Sequence, residues 1–204
     1  MLFDDTYLTI SKPAEGIFRD KGSKFIGVAY PVQSLSAVKE LIEDLRTKHP
    51  KARHFCWAVR LSPDRSLFKI NDDGEPSGTA GRPILNTLLS ADLTNVLVIV
   101  VRYFGGTLLG VPGLINAYKT ATTEAIAASE IISKTINDLY QLSFPYTQMN
   151  DVMRIIKEEQ LQPTDQHFDQ SCMMNLEIRK SRLIAILGRF EKLDGVKAEY
   201  LSTI

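Results

Sequence analysis

Between Asn95 and Arg102 the chain reads Val-Leu-Val-Ile-Val-Val, with no polar residue to break the run. A strand with one wet face alternates apolar and polar side chains, so an unbroken β-branched run calls for a strand buried on both faces. The run stops at Arg102 and Tyr103 and enters a loop with Gly105, Gly106 and Gly110. Pro112 and Gly113 follow, and Leu114 to Ser129 has helical composition. A buried strand, a glycine-rich loop and a helix start can together hold an anion, because free amides at a helix N-terminus carry partial positive charge.

The upstream segments supply the rest of such a domain. Thr6 to Ile10 and Lys24 to Val32 read as strands, and the turn-like Asp20-Lys21-Gly22-Ser23 suggests that they form a hairpin. Ser36 can cap a helix running to about Lys48, with Val38, Leu41, Ile42 and Leu45 on one face. From His54 to Leu61 the residues alternate, and Phe55, Trp57, Val59 and Leu61 are expected to form the core-facing set. Ser62 to Arg65 is read as a turn into a paired strand, Ser66 to Ile70. An acidic, glycine-rich loop then spans Asn71 to Arg82, and Pro83 opens a short helix carrying Ile84, Leu85, Leu88 and Leu89. The whole is expected to be a largely antiparallel sheet covered by helices.

Beyond about Ser133 to Asp138 the pattern changes. Strand (139–146), helix (147–160), two strands (162–170 and 172–180), helix (181–193) and strand (196–204) follow in β-α-β-β-α-β order, the ferredoxin-like arrangement. The chain is therefore read as α+β, with one domain over 1–134 and a second over 137–204. Met153, Met173 and Met174 are expected in the core of the second.

Composition narrows the function classes. The 24 Lys and Arg balance 24 Asp and Glu, and a split after Lys134 leaves +2 (16 against 14) and −2 (8 against 10). A nucleic-acid footprint would then be a local patch. No apolar run is long enough to span a bilayer, and the N-terminus lacks the signature of a signal peptide. Two distant cysteines, Cys56 and Cys172, make no disulfide framework, which is the pattern of a reducing, cytoplasmic setting.

Several residue groups carry chemistry in principle. Asp72, Asp73 and Glu75 could hold a divalent cation or supply a general base, but lack the spacing of a calcium loop; Asp72 and Asp73 are expected to fix the turn and Glu75 to be solvated, and no metal or cofactor is assigned. His54 and Cys56 share a strand face, and a His beside a Cys is the pairing of an activated nucleophile or of two zinc ligands, yet side chains two apart on a strand run in parallel, so a packed pair is expected. Arg102 can either meet a phosphate or pair with the acidic loop. Ser77 and Thr79 lie outside any nucleophile elbow.

Four stretches taken together, K-G-S-K-F at 21–25, A-R-H-F-C-W-A at 52–58, D-D-G-E-P-S-G-T-A-G-R-P at 72–83 and V-V-R-Y-F-G-G-T-L-L-G at 100–110, resemble the Impact/YigZ family over the first 130 or so residues. The C-terminal piece resembles the small second domain of its bacterial members. The resemblance implies a ribosomal protein S5 domain 2-like first domain and a second like the C-terminal domain of elongation factor G. Where the family has G-x-G-G-L, this chain has Gly110-Val111-Pro112-Gly113-Leu114, and Pro112 removes one amide donor. Eukaryotic members regulate translation through the amino-acid-starvation kinase pathway by way of an additional N-terminal domain, so that role is not carried over.

By fold analogy, the expected function is translation-linked, non-catalytic binding of RNA or a ribosomal surface. Lys21, Lys24, Arg53, Arg82 and Arg102 would contact phosphates, with Gly105, Gly106 and Gly113 beside them. The alternative is a small hydrolase in the cleft between the two glycine-rich loops, using Asp72, Asp73, Glu75, His54 and Cys56. A plain protein-interaction module is the third reading.

Overall fold

The computed structural model describes residues 5–62, 66–169 and 171–204. Two compact units result: Tyr7–Lys134, and Thr135–Ile204 together with Asp5 and Thr6. The N-terminal boundary differs from the expected 1–134. Asp5 groups with the C-terminal unit because its carboxylate takes two hydrogen bonds from Arg179 (2.6 and 2.9 Å) and its carbonyl accepts the Ile136 N–H.

The first unit is built on five strands: β2 (Ala14–Asp20), β3 (Ser23–Pro31), β4 (His54–Leu61), β5 (Leu67–Asn71) and β6 (Val96–Tyr103), the last being the apolar run. Their order is β2-β3-β6-β4-β5 and every neighbouring pair is antiparallel. β6 is the central strand. Val96, Val98 and Val100 pack beneath α2 (Gly81–Ser90) and α3 (Gly110–Ala127), while Leu97, Ile99 and Val101 pack against α1 (Leu35–Lys48). Both faces are covered, which is why alternation is missing from its sequence.

β4 shows the same two-sided burial. Phe55, Val59 and Leu61 join the α1 side, but Cys56 and Ala58 are equally buried beneath α2 and α3, so the alternation read there separates two cores rather than core from solvent. α3 can lie close to the sheet because Gly16 and Gly27 face each other across β2 and β3. A Cβ at either would stand 2.3 Å from the Ala125 nitrogen or 2.4 Å from the Ala121 oxygen.

Two expectations about pairing change. β1 (Thr6–Ile10) does not form a hairpin with β3; it joins β7 (Ile131–Thr135) in a separate two-stranded sheet. The hairpin partner of β3 is β2, whose Ala-Glu-Gly-Ile-Phe-Arg-Asp has little apolar periodicity because it is an edge strand lying under a helix. The turn expected at 62–65 falls largely outside the described residues.

In the second unit β8 (Asn137–Pro145), α4 (Met149–Glu158), β9 (Pro163–His167), β10 (Ser171–Arg179), α5 (Leu183–Phe190) and β11 (Lys197–Thr203) follow in β-α-β-β-α-β order. The antiparallel sheet runs β11-β8-β10-β9. Leu142, Phe144, Met174, Leu176 and Ile178 pack against Val152, Ile155, Ile186 and Phe190. Of the three methionines expected in this core only Met174 is there. Met173 points to the opposite face of β10, and Met153 lies off the apolar stripe of α4, so both are exposed.

Candidate functional site

The strand register gathers the sequence motifs at one end of the first sheet. Lys24 pairs with Tyr103, and Phe25 and His54 both sit opposite Arg102. Two loops leave this end, 72–80 between β5 and α2, and 104–109 between β6 and α3.

In the first loop each carboxylate has an internal task. Asp72 accepts the backbone N–H groups of Gly78 (2.9 Å), Ala80 (3.1 Å) and Gly81 (2.8 Å). It thereby caps α2, whose own N-cap residue, Ala80, has no side chain able to do so. Asp73 sits in the left-handed region (φ 40), accepts the Phe55 N–H at 2.7 Å and receives Arg46 Nη2 at 2.9 and 3.0 Å. Glu75 Oε1 takes Arg102 Nη1 at 2.5 Å and the Tyr118 hydroxyl at 2.8 Å. The Glu75 and Arg102 side chains are only 4% and 6% exposed, so Glu75 is not solvated as expected but buried against its partner. A charge removed from water to this extent needs such a partner.

His54 and Cys56 do not face each other as a reactive pair. His54 Nδ1–H donates to the Asp73 carbonyl (2.9 Å), and Cys56 Sγ lies 3.0 Å from the Asp72 carbonyl and 3.2 Å from the Tyr118 hydroxyl. Burial, the largest cause, pushes the Cys56 thiol well above the usual range, and the carboxylates nearby push the same way. Burial raises the Tyr118 hydroxyl likewise. Both stay protonated at neutral pH, and a protonated, enclosed thiol is a poor nucleophile. Among the described residues no group of three or more His, Cys, Asp or Glu is arranged to hold a metal ion.

Arg102 is thus the buried partner of Glu75, with its guanidinium also over the Phe25 and Phe104 rings at 5.3 and 5.6 Å. It is not presented to solvent as a phosphate contact would be. Lys21 and Arg53 are exposed and Lys24 half-buried, and none has an ion-pair partner among the described residues. They belong to the same sheet end: Lys21 occupies the β2–β3 turn, and the Arg53 N–H donates to the Arg102 carbonyl (3.2 Å). Arg82 stands apart from them on α2, lining a groove beside α3.

The second loop is anchored by backbone contact. A Cβ on Gly105 would lie 1.9 Å from the Gly22 carbonyl carbon, and the Gly105 N–H donates to Ser23 Oγ at 3.1 Å. Gly106 has φ 87 and Gly113 lies under Leu109 inside the first turn of α3. Phe104, Leu108, Val111 and Ile115 are exposed. Ser77 is exposed, and Thr79 is buried with its hydroxyl donating to the Pro76 carbonyl, so neither is poised as a nucleophile.

Sequence reading missed Tyr118 and Arg46. The signal for Tyr118 was its type: it is the one aromatic residue on the buried face of α3, among Leu114, Ala117, Ala121, Thr122, Ala125 and Ile126, and a helix that close to the sheet lets its hydroxyl reach Glu75.

Residues 21–126 match the Impact N-terminal domain family, and the chain is 34% identical over 178 residues, 86% of both chains, to an IMPACT family member of Haemophilus influenzae. The chain belongs to the IMPACT family. It is also 32% identical over 154 residues to the IMPACT family member YigZ of Escherichia coli, covering 74% of this chain and 76% of that one. A crystal structure of a hypothetical protein matches it with a TM-score of 0.76 at 25% identity, over 97% of this chain and 98% of that one. The mixed α and β architecture is therefore shared by a solved structure along nearly the full length. Among the described residues no helix is long and apolar enough to cross a membrane.

Proposed function

We propose that this IMPACT family protein is a translation-linked regulator that binds RNA, ribosomal RNA included, through the sheet end bearing Lys21, Lys24 and Arg53, and that it is not a catalyst. One observation carries the reading. All three carboxylates of the acidic loop are held by internal donors, whereas the three cations beside them have no partner among the described residues. A polyanion would meet free positive charge there and little free negative charge. The exposed ring of Phe104 offers a face on which a base can stack.

The hydrolase alternative asks the same carboxylates to act as base or metal ligand. Glu75 is buried against Arg102, Asp72 is committed to the α2 amides, and Cys56 is protonated and enclosed. The proposed fold kinship is with ribosomal protein S5 domain 2 for the first unit and a ferredoxin-like domain, as in elongation factor G, for the second. The second rests on β-α-β-β-α-β order with the sheet arranged β11-β8-β10-β9.

The test is binding of purified ribosomes and of a single-stranded RNA at low and physiological salt, for the intact chain and for Lys21→Ala/Arg53→Ala. Binding should weaken steeply with salt, and the double variant should flatten the logarithmic salt dependence by about 1 to 2. No binding at low salt, or a double variant that binds like the parent, sinks the reading.

A further inference from the structure

A groove of about 640 Å³ runs between α2 and α3, on the helical side of the first unit. Its size is in the range of small-molecule pockets. Pro83, Ala91, Ile115 and Ile126 give it an apolar floor, and Arg82 and Lys119 are its charged residues. No carboxylate lines it, and neither cation has an ion-pair partner among the described residues.

The polar groups along its walls are not interchangeable. The hydroxyl protons of Thr87, Ser90 and Thr123 are each given to a carbonyl of their own helix, Pro83 (2.9 Å), Asn86 (2.9 Å) and Lys119 (3.0 Å). Their oxygens are left to accept, not donate. Asn86 alone among these can do both. The site therefore asks for a ligand with a negative group for Arg82 and Lys119, hydroxyl or amino donors for the wall oxygens, and an apolar or planar body for the floor. An RNA strand would bring a long series of phosphates to only two cations over an apolar floor; a single short molecule satisfies the groove better.

We propose that the α2–α3 groove binds a nucleotide-sized organic phosphate, held at its phosphate by Arg82 and Lys119. The site is separate from the Lys21, Lys24 and Arg53 surface and does not depend on it. A guanidinium and an ammonium on one phosphate are charge-assisted contacts, each strong enough to be seen singly.

Isothermal titration with the common ribonucleoside 5′-monophosphates, the matching nucleosides and inorganic phosphate tests it. At least one monophosphate should bind the intact chain in the micromolar to low-millimolar range, more tightly than its nucleoside and than phosphate alone. Arg82→Ala/Lys119→Ala, a surface double variant whose folding is checked by circular dichroism, should weaken that binding by about tenfold or more. Lys21→Ala/Arg53→Ala should leave it unchanged. Absence of binding by every monophosphate at about 5 mM, a nucleoside that binds as well as its phosphate, or a groove variant with parental affinity would each overturn the proposal. Loss of RNA binding in the other double variant with nucleotide binding intact would confirm that the sites are distinct.

Discussion

The two glycine-rich loops at the end of the first sheet differ in what their side chains hold. The loop 72–80 is rich in charge, and the charge is turned inward: Asp72 to the amides of α2, Asp73 to Arg46 and the Phe55 amide, Glu75 to Arg102 and Tyr118. The loop 104–109 is fixed instead by glycine against glycine, Gly105 on Gly22, and its larger side chains, Phe104 and Leu108, face solvent. Residues of the type that catalyse reactions are here parts of the scaffold. Residues with no chemistry of their own are the ones left exposed. Residue type alone does not identify a site; what a group is already bonded to decides whether it is available.

The largest effect should come from breaking the inward-facing loop at its buried pair. Glu75→Ala leaves the Arg102 guanidinium without its counter-ion at 6% exposure and removes the acceptor of the Tyr118 hydroxyl. Loss of one member of a buried pair costs about 3–5 kcal/mol. Urea unfolding followed by the fluorescence of Trp57, the one tryptophan in the chain, reads it in the correct unit. Glu75→Gln keeps an acceptor and should lose less. A cost under about 1 kcal/mol for Glu75→Ala would place the pair among surface ion pairs and remove the contrast between the loops.

How much of this could be read beforehand follows the range of the interactions. The β6 run, the extent of β4 and the position of Pro83 in the first turn of α2 are properties of consecutive residues, and sequence carried them. The pairing of β1 with β7 joins segments some 125 residues apart in sequence, which no local pattern encodes. β2 was missed because Gly16 and exposed Ile17 upset its alternation, for a reason that lies in α3 above it. The site divides in the same way. Lys21, Lys24, Arg53 and the acidic loop were found as motifs, but whether Arg102 faces phosphate or Glu75 is settled by burial, and Tyr118 enters only once α3 is laid on the sheet.

Asp72 gives a smaller test of the same contrast. Its carboxylate caps α2 from nine residues before Gly81, and Asp72→Ala should cost about 0.5–2 kcal/mol, the range for loss of a helix cap. Asp72→Asn retains an oxygen acceptor and should recover most of it. If instead Asp72→Ala were stable but abolished a measurable activity, the carboxylate would be chemical and not structural, and the non-catalytic reading would fall.

The outward-facing loop should answer in the opposite sense. Leu108 is 82% exposed, so Leu108→Ser removes little buried surface and should leave stability within about 0.5 kcal/mol of the parent. An apolar side chain displayed beside Phe104 and Val111 is nevertheless the kind of surface a partner covers. Ribosome association should therefore weaken in Leu108→Ser although the unfolding midpoint does not move. If the midpoint falls with association, the loop is scaffold like its neighbour. Unchanged association with unchanged stability would show that the partner docks on the cations alone, and would narrow the surface to Lys21, Lys24 and Arg53.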